Sequence, residues 1–346
     1  MTGRRDPLTD KVVAGPTAPP YDVELGAALA ALGDLTAERL TPGNLGAQRE
    51  RDAASRPRPT VAELRADGRF AVEELSVPGG EGRPDVTLVH ARPADATGPL
   101  PALYYMHGGG MIMGNAWSVL PKILRDWSGP LGLAVVSVEY RLAPETPYPG
   151  PLEDCHAGLV WTAEHADELG IDGERVIIGG KSAGGGLAAA LTLLNRDLNR
   201  ERGEGPVPVG QLLQCPMLDD RLDTPSAHRM AGIGLWDRSS TAVAWQAYLG
   251  ERYGTADLSP YAAPARATDL SGLPPTYIDV GSAETFRDEN VAYAHAIWQA
   301  GGDAELHVWP GAFHGFDSVA PAAALTRAAR HARTQWLSRT VERSRR

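Results

Sequence analysis

Residues 175–186, RVIIGGKSAGGG, run from the β-branched segment Val176–Ile178 directly into LAAALTLLNRDL. The first part has strand character and the second has helical spacing, so the glycines between them must form a sharp strand-to-helix turn. Two chemistries use such a turn. Gly180-Lys181-Ser182 matches the end of a phosphate-binding loop, but that loop needs a glycine five residues before Gly180, where Arg175 stands. The dinucleotide spacing G-x-G-x-x-G fits no better. The other chemistry needs G-x-S-x-G, and Gly180-Lys181-Ser182-Ala183-Gly184 supplies it, with small residues where side chains would clash around a strained serine. In a chain of 39 glycines the pentapeptide is weak alone, and its context decides.

That context is strand and helix in alternation. FAVEELSV and DVTLVHARP, separated by the turn-rich PGGEGRP, read as an antiparallel pair. Further strands follow near PALYYM, LAVVSVEY, RVIIG, GQLLQC, PTYIDVG and AELHVWP, with helices such as PLEDCHAGLVWTAEHADEL and ENVAYAHAIWQAG between them. The pattern predicts an α/β protein with a mainly parallel sheet and helices on both faces. Before Phe70 the chain is proline-rich, with short helices expected around Val23–Leu32 and Asp34–Arg49. A length of 346 residues with 43% hydrophobic content accommodates one large domain or a domain plus a cap.

Charge and cysteine content exclude several roles. A net charge of −10 argues against nucleic acid or an anionic membrane as partner. Cys155 and Cys215 lie far apart without C-x-x-C, so neither a disulfide framework nor a zinc cluster is expected, and both read as small buried hydrophobes. MTGRRDPLTDKVVAGPTAPPYD has no continuous apolar core of the signal-peptide kind, and LGLAVVSV is far short of the ~20 residues that span a bilayer. A cytoplasmic location is expected, with no membrane partner. No metal or organic cofactor is expected, and HExxH is absent.

In a parallel sheet, reactive groups gather beyond the carboxyl ends of the strands. Ser182 occupies one such loop. His107-Gly108-Gly109-Gly110 follows PALYYM in another, where the unshielded NH groups of Gly108 and Gly109 could join that of Ala183 in stabilising an oxyanion. His107 is expected to orient its loop. A serine needs an imidazole to take its proton, and the imidazole needs a carboxylate to hold its tautomer. Of nine histidines, His314 lies past the last strand beside Gly311 and Gly315. His307 falls in the strand itself, His295 and His331 fall in helices, and His228 precedes the late strands. The loop after PTYIDVG offers Glu284, Asp288 and Glu289. Thr285 is expected to cap a helix whose positive end Asp288 or Glu289 answers, leaving Glu284 as the first choice of acid and Asp288 as the alternative.

YYMHGGG, VSVEYRLAPETPYPGPLEDC, GGKSAGGGLA, LPPTYIDVGSAETFRDE and GAFHGFD, in this order from Tyr104 to Asp317, resemble the hormone-sensitive-lipase-like branch of the α/β hydrolases, the family IV esterases. The resemblance implies an eight-stranded α/β-hydrolase sheet and a helical cap. The cap would comprise residues 1–60 and an insertion at 216–250, with 61–215 and 251–346 forming the catalytic domain. It also implies hydrolysis of short to medium acyl esters through a Ser182–Glu284–His314 triad and an HGGG oxyanion hole, with a small-molecule ester as partner. Related enzymes are often dimers through the last strand and helix, so a homodimer is an expectation. The sequence departs from the family at Lys181, usually Asp or Thr, and at Glu284, where many relatives carry Asp.

Met111, Ile112, Met113 and Trp117 follow the oxyanion loop, and Leu218, Met230, Leu235, Trp236 and Trp245 fall in the expected insertion. They are candidates for an apolar substrate pocket, and equally for packing. Two other functions share the fold: an amidase or other acyl hydrolase using the same triad, and a non-catalytic ligand-binding relative. The presence of serine, acid, histidine and HGGG together disfavours the last.

Overall fold

The structure is a computed structural model describing residues 18–33, 38–203 and 205–344. Eight strands form one sheet: β1 (Phe70–Val77), β2 (Val86–Pro93), β3 (Leu100–Met106), β4 (Ala134–Glu139), β5 (Ile171–Lys181), β6 (Gly210–Gln214), β7 (Thr276–Gly281) and β8 (Ala304–Trp309). Their order is β1-β2-β4-β3-β5-β6-β7-β8. β2 runs antiparallel to both β1 and β4, and the pairings from β4 to β8 are parallel.

This order positions the site. The chain steps outward from β3 to β4 and then crosses back to place β5 on the other side of β3. The reversal opens a crevice beyond the carboxyl ends of β3 and β5, the general location for ligands in such sheets. Both glycine-rich loops emerge there.

Strand periodicity sorts the core into two layers. Ala102, Tyr104 and Met106 of β3 pack with Leu187 and Leu191 of the helix Ala183–Arg202. Leu103 and Tyr105 face the opposite side, with Trp336, Leu337 and Val341 of the helix Ala324–Arg343. Each fully buried large apolar side chain contributes about 1.5–3 kcal/mol, so these layers fix the strand ends in place.

Parts of the N-terminal segment, among them Leu40, Gln48 and Arg56, border the cavity beside Ser182. Asp22 caps the helix Val23–Ala31 by accepting from the Leu25 amide, and Leu25 packs with Ala312, Phe313 and Phe316. The second helix spans Leu45–Ser55, after a 3-10 turn at Pro42–Asn44, and so starts later than expected. Thr41 and Asn44 cap each other there, and Pro42, which cannot donate within a helix, sits in the first turn. Arg49 ties this helix to the carbonyls of Ile112 and Ala143 and to Glu145, while Arg39 reaches the carbonyls of Gly232 and Gly234. Between β6 and β7 lie the helices Pro225–Arg229 and Arg238–Leu249, capped by Thr224 and Asp237. Residues 1–17, 34–37, 204 and 345–346 lie outside the described residues, and with them most of the segment read for a signal peptide and the start of the second expected helix. Among the described residues no helix is long and apolar enough to cross a membrane.

Candidate active site

Ser182 stands between β5 and its helix with φ 57° and ψ −122°. A left-handed backbone costs a non-glycine residue on the order of 1–3 kcal/mol, so the surroundings must enforce it. They do: the Ser182 amide donates to the Gln214 carbonyl at 2.8 Å, and its own carbonyl accepts from Gly186 and Met217, each at 3.0 Å. Gly184 makes the turn possible, because a Cβ there would stand 2.2 Å from the Met106 carbonyl oxygen. The β3 loop is equally close, since a Cβ on Gly108 would lie 2.9 Å from the Lys181 carbonyl oxygen.

His314, past β8, accepts from the Ser182 hydroxyl at Nε2 (3.0 Å) and donates from Nδ1 to Glu284 Oε1 (3.0 Å) in the tautomer that satisfies both bonds. Glu284, 2% exposed, has its other oxygen anchored by the Gly281 amide at 2.9 Å. Phe286 packs edge-on against the imidazole at 5.1 Å. Burial opposes an imidazolium at His314, but the facing Cys215 thiol and Glu284 carboxylate outweigh it, and the ring holds its proton more tightly than an ordinary histidine. The arrangement can pass a proton from the hydroxyl to the ring and stabilise the charge that results.

Among the described residues, the amides of Gly108, Gly109 and Ala183 take no hydrogen-bond partner. Ala183 opens its helix, where amides lack intrahelical acceptors. His107 stacks on Tyr140 at 4.2 Å, and its Nδ1 lies 2.9 Å from the Gly108 carbonyl. Burial lowers its pKa to about 4, so it stays neutral. The Tyr140 hydroxyl donates to the His107 carbonyl at 2.7 Å, so both the ring and the backbone of His107 have partners in this loop.

The remaining acids of the β7 loop are occupied elsewhere. Asp288 accepts from the Ser226 amide at 2.7 Å and pairs with Arg287. Glu289 is buried and accepts from the Leu218 amide at 2.7 Å. The expected Thr285 cap is corrected: the helix Arg287–Gln299 has Phe286 at its N-cap, and the Thr285 hydroxyl donates to the Trp236 carbonyl at 3.3 Å. The hydroxyl donates to a tertiary carbonyl and does not accept from a first-turn amide.

A cavity of about 1080 Å³ lies in front of Ser182, Gly108, Gly109 and His314. Trp236, Leu235 and Met113 line it. Met111, Ile112 and Trp245 belong instead to one core layer and Trp117 to the other, each at most 4% exposed, so they pack the fold and leave the pocket to others. Leu218 and Met230 are buried as well.

Sequence reasoning missed three features. Cys215, read as inert packing, has its thiol beside the relay: the ligand atoms of Cys215, Glu284 and His314 lie within 4.8 Å of one another, the group among the described residues spaced closely enough to hold an ion. Its place just after β6 was the available signal. Lys181 turns from the elbow to bond Asp317 at 2.6 Å, and Lys122 and Arg333 grip the same carboxylate at 2.6 and 2.7 Å. Arg56 also lines the cavity from the N-terminal segment. No local pattern announces these partners.

Residues 103–318 match the family described as alpha/beta hydrolase fold. The chain is 36% identical to carboxylesterase NlhH of Mycobacterium tuberculosis over 258 residues, 73% of this chain and 78% of that one. It is 34% identical to esterase LipI of the same organism over 279 residues, 80% and 82% of the two chains. Among solved structures, a bacterial heroin esterase superposes with a TM-score of 0.84 at 41% identity, covering 93% of this chain and 98% of the other. Sheet, elbow and relatives agree, and the chain belongs to the α/β-hydrolase fold family, in its hormone-sensitive-lipase-like esterase branch.

Proposed function

We propose that this carboxylic ester hydrolase works through an acyl-enzyme on Ser182, with His314 as general base, Glu284 as its orienting carboxylate, and the amides of Gly108, Gly109 and Ala183 as the oxyanion hole. The observation that carries the reading is the pair of 3.0 Å bonds linking Ser182 Oγ, His314 and Glu284. Ser182 Oγ attacks the ester carbonyl as its proton passes to Nε2. The carbonyl oxygen becomes an oxyanion facing the three amides. Collapse breaks the bond to the alcohol, which leaves with the proton from Nε2. Water then gives a proton to the same nitrogen, attacks the acyl carbon, and releases the acid with Ser182 restored.

The N-terminal segment and residues 216–250 act in this reading as a cap over the cavity, supported by the ties from Arg39 and Arg49. A cavity of about 1080 Å³ suits small ligands, and short to medium acyl chains are the proposed substrates. Hydrolysis of p-nitrophenyl esters from acetate to laurate, with Ser182→Ala alongside, tests the proposal. The expected result is turnover on the shorter members that vanishes in the variant. Equal rates for both proteins would overturn it.

A further inference from the structure

The cavity before Ser182 differs in charge from the chain that builds it. The protein carries a net charge of −10, yet among the described residues the cavity is lined by five cationic side chains and two acidic ones. Three of the cations are engaged locally: Arg51 with Glu38, Arg56 with Asp52, and Arg39 with the carbonyls of Gly232 and Gly234. Lys122 and Lys181 are different. Both lean on Asp317, which lies beneath them and also takes Arg333, and Arg333 in turn takes Asp279. Three cations therefore share two buried carboxylates, one positive charge in excess.

That excess faces the cavity. Asp317, Asp279 and Arg333 are sealed, with side chains 1%, 1% and 3% exposed, while those of Lys122 and Lys181 are 29% and 21% exposed. An ammonium has three donors. Lys122 gives one to Asp317, and Lys181 gives one to Asp317 and one to Ser318, leaving donors for a ligand. The lysines hold opposite oxygens of one carboxylate, so they stand close enough for a second carboxylate to bridge them from the cavity side. Burial brings the Lys122 ammonium down to about 8, with Lys181 and Arg333 pushing the same way against Asp317, as befits a group short of negative charge.

We propose that Lys122 and Lys181 form an anion subsite, and that the ester hydrolysed carries a free carboxylate near the scissile bond, as a half-ester of a dicarboxylic acid or an ester of a hydroxy acid does. The inference rests on the esterase reading above and narrows its substrate class. A charge-assisted bond to a half-buried partner is worth enough to give about a tenfold preference over a neutral ester of the same shape.

The test compares kcat/KM for mono-p-nitrophenyl glutarate with p-nitrophenyl pentanoate, and for 3-acetoxybenzoate with 3-methylphenyl acetate. The first pair puts the carboxylate on the acid and the second on the alcohol, so the arm showing the preference locates the subsite. The anionic member should win by about tenfold in one arm at low salt, and the ratio should approach unity in 1 M salt, where the screening length is about 3 Å. Lys181→Met and Lys122→Met should each lower the ratio. If either variant fails to fold, the salt dependence of the wild-type ratio still decides. Neutral esters equal or better in both arms, with turnover intact, would overturn the subsite and leave the esterase reading standing. No turnover on any ester would overturn the esterase reading; the subsite is then judged by calorimetry with glutarate, where binding weakened by Lys181→Met upholds it and no binding to the wild type overturns it.

Discussion

Glu284, in the loop after β7, and Asp317, in the short helix Phe316–Val319, are 2% and 1% exposed, yet keep opposite company. Glu284 is held by one backbone amide and one imidazole. Asp317 is held by two ammonium groups and a guanidinium. Burial raises the Asp317 carboxyl, but Lys181, Lys122 and Arg333 overcome it and keep the group well below the usual carboxylate range. The contrast shows that burial alone does not make a carboxylate a proton-relay partner. In the proposed mechanism it must face the group that takes the serine proton, and Glu284 faces His314. Asp317 faces three cations and no imidazole, and these bonds tie the segment after His314 to β5.

Removing the partner of the titrating group should give the largest effect. Glu284→Gln leaves the shape but loses the charge, and kcat on a p-nitrophenyl ester is expected to fall by about 10³–10⁴ with little change in melting temperature. Retained activity would dissolve the distinction between the two carboxylates. Asp317→Asn should do the reverse: unpairing a buried ion cluster costs about 3–5 kcal/mol in a denaturant melt, with turnover falling far less than in Glu284→Gln.

The two sites should also respond to pH in opposite ranges. His314 must be neutral to take the serine proton, and its affinity for that proton is raised, so kcat/KM should climb with pH through a midpoint above ~6.5. Glu284→Gln should move that midpoint down. Asp317 is depressed in the fold, so its stabilisation is full above the unfolded value of ~3.9 and is lost as pH falls through the folded one. In Asp317→Asn the acid limb of a stability profile should flatten. The smallest effect is expected for Asp288→Asn: this acid serves the Ser226 amide, and kcat should stay within about twofold, as for a surface change away from the chemistry.

What the sequence revealed was local. β-branched runs ending in glycine mark the strand ends, and Ser182, His314 and the Gly108–Gly109 pair follow from them because each functional group belongs to the turn that its own neighbours build. The same reasoning preferred Glu284 to Asp288, and Glu284 is the one that bonds His314, although the Thr285 cap used in that argument gave way to the Trp236 carbonyl. The cavity wall was not legible. Hydrophobicity marks Met111, Ile112, Trp117 and Trp245 as buried without saying whether they face a core layer or a ligand, and they face core. The Asp317 cluster joins residues up to 195 positions apart, and no periodicity encodes such a pairing.

The placing of Ser182 and His314 beyond strands β5 and β8 also governs when activity arrives. Ser182 and His314 are 132 residues apart, just past strands β5 and β8, which are separated in the sheet by β6 and β7. Their hydrogen bond closes a long loop and cannot form until those intervening strands have paired. Recovered ester hydrolysis after dilution from denaturant therefore reports the last stage of folding, and should lag behind fluorescence signals of early collapse.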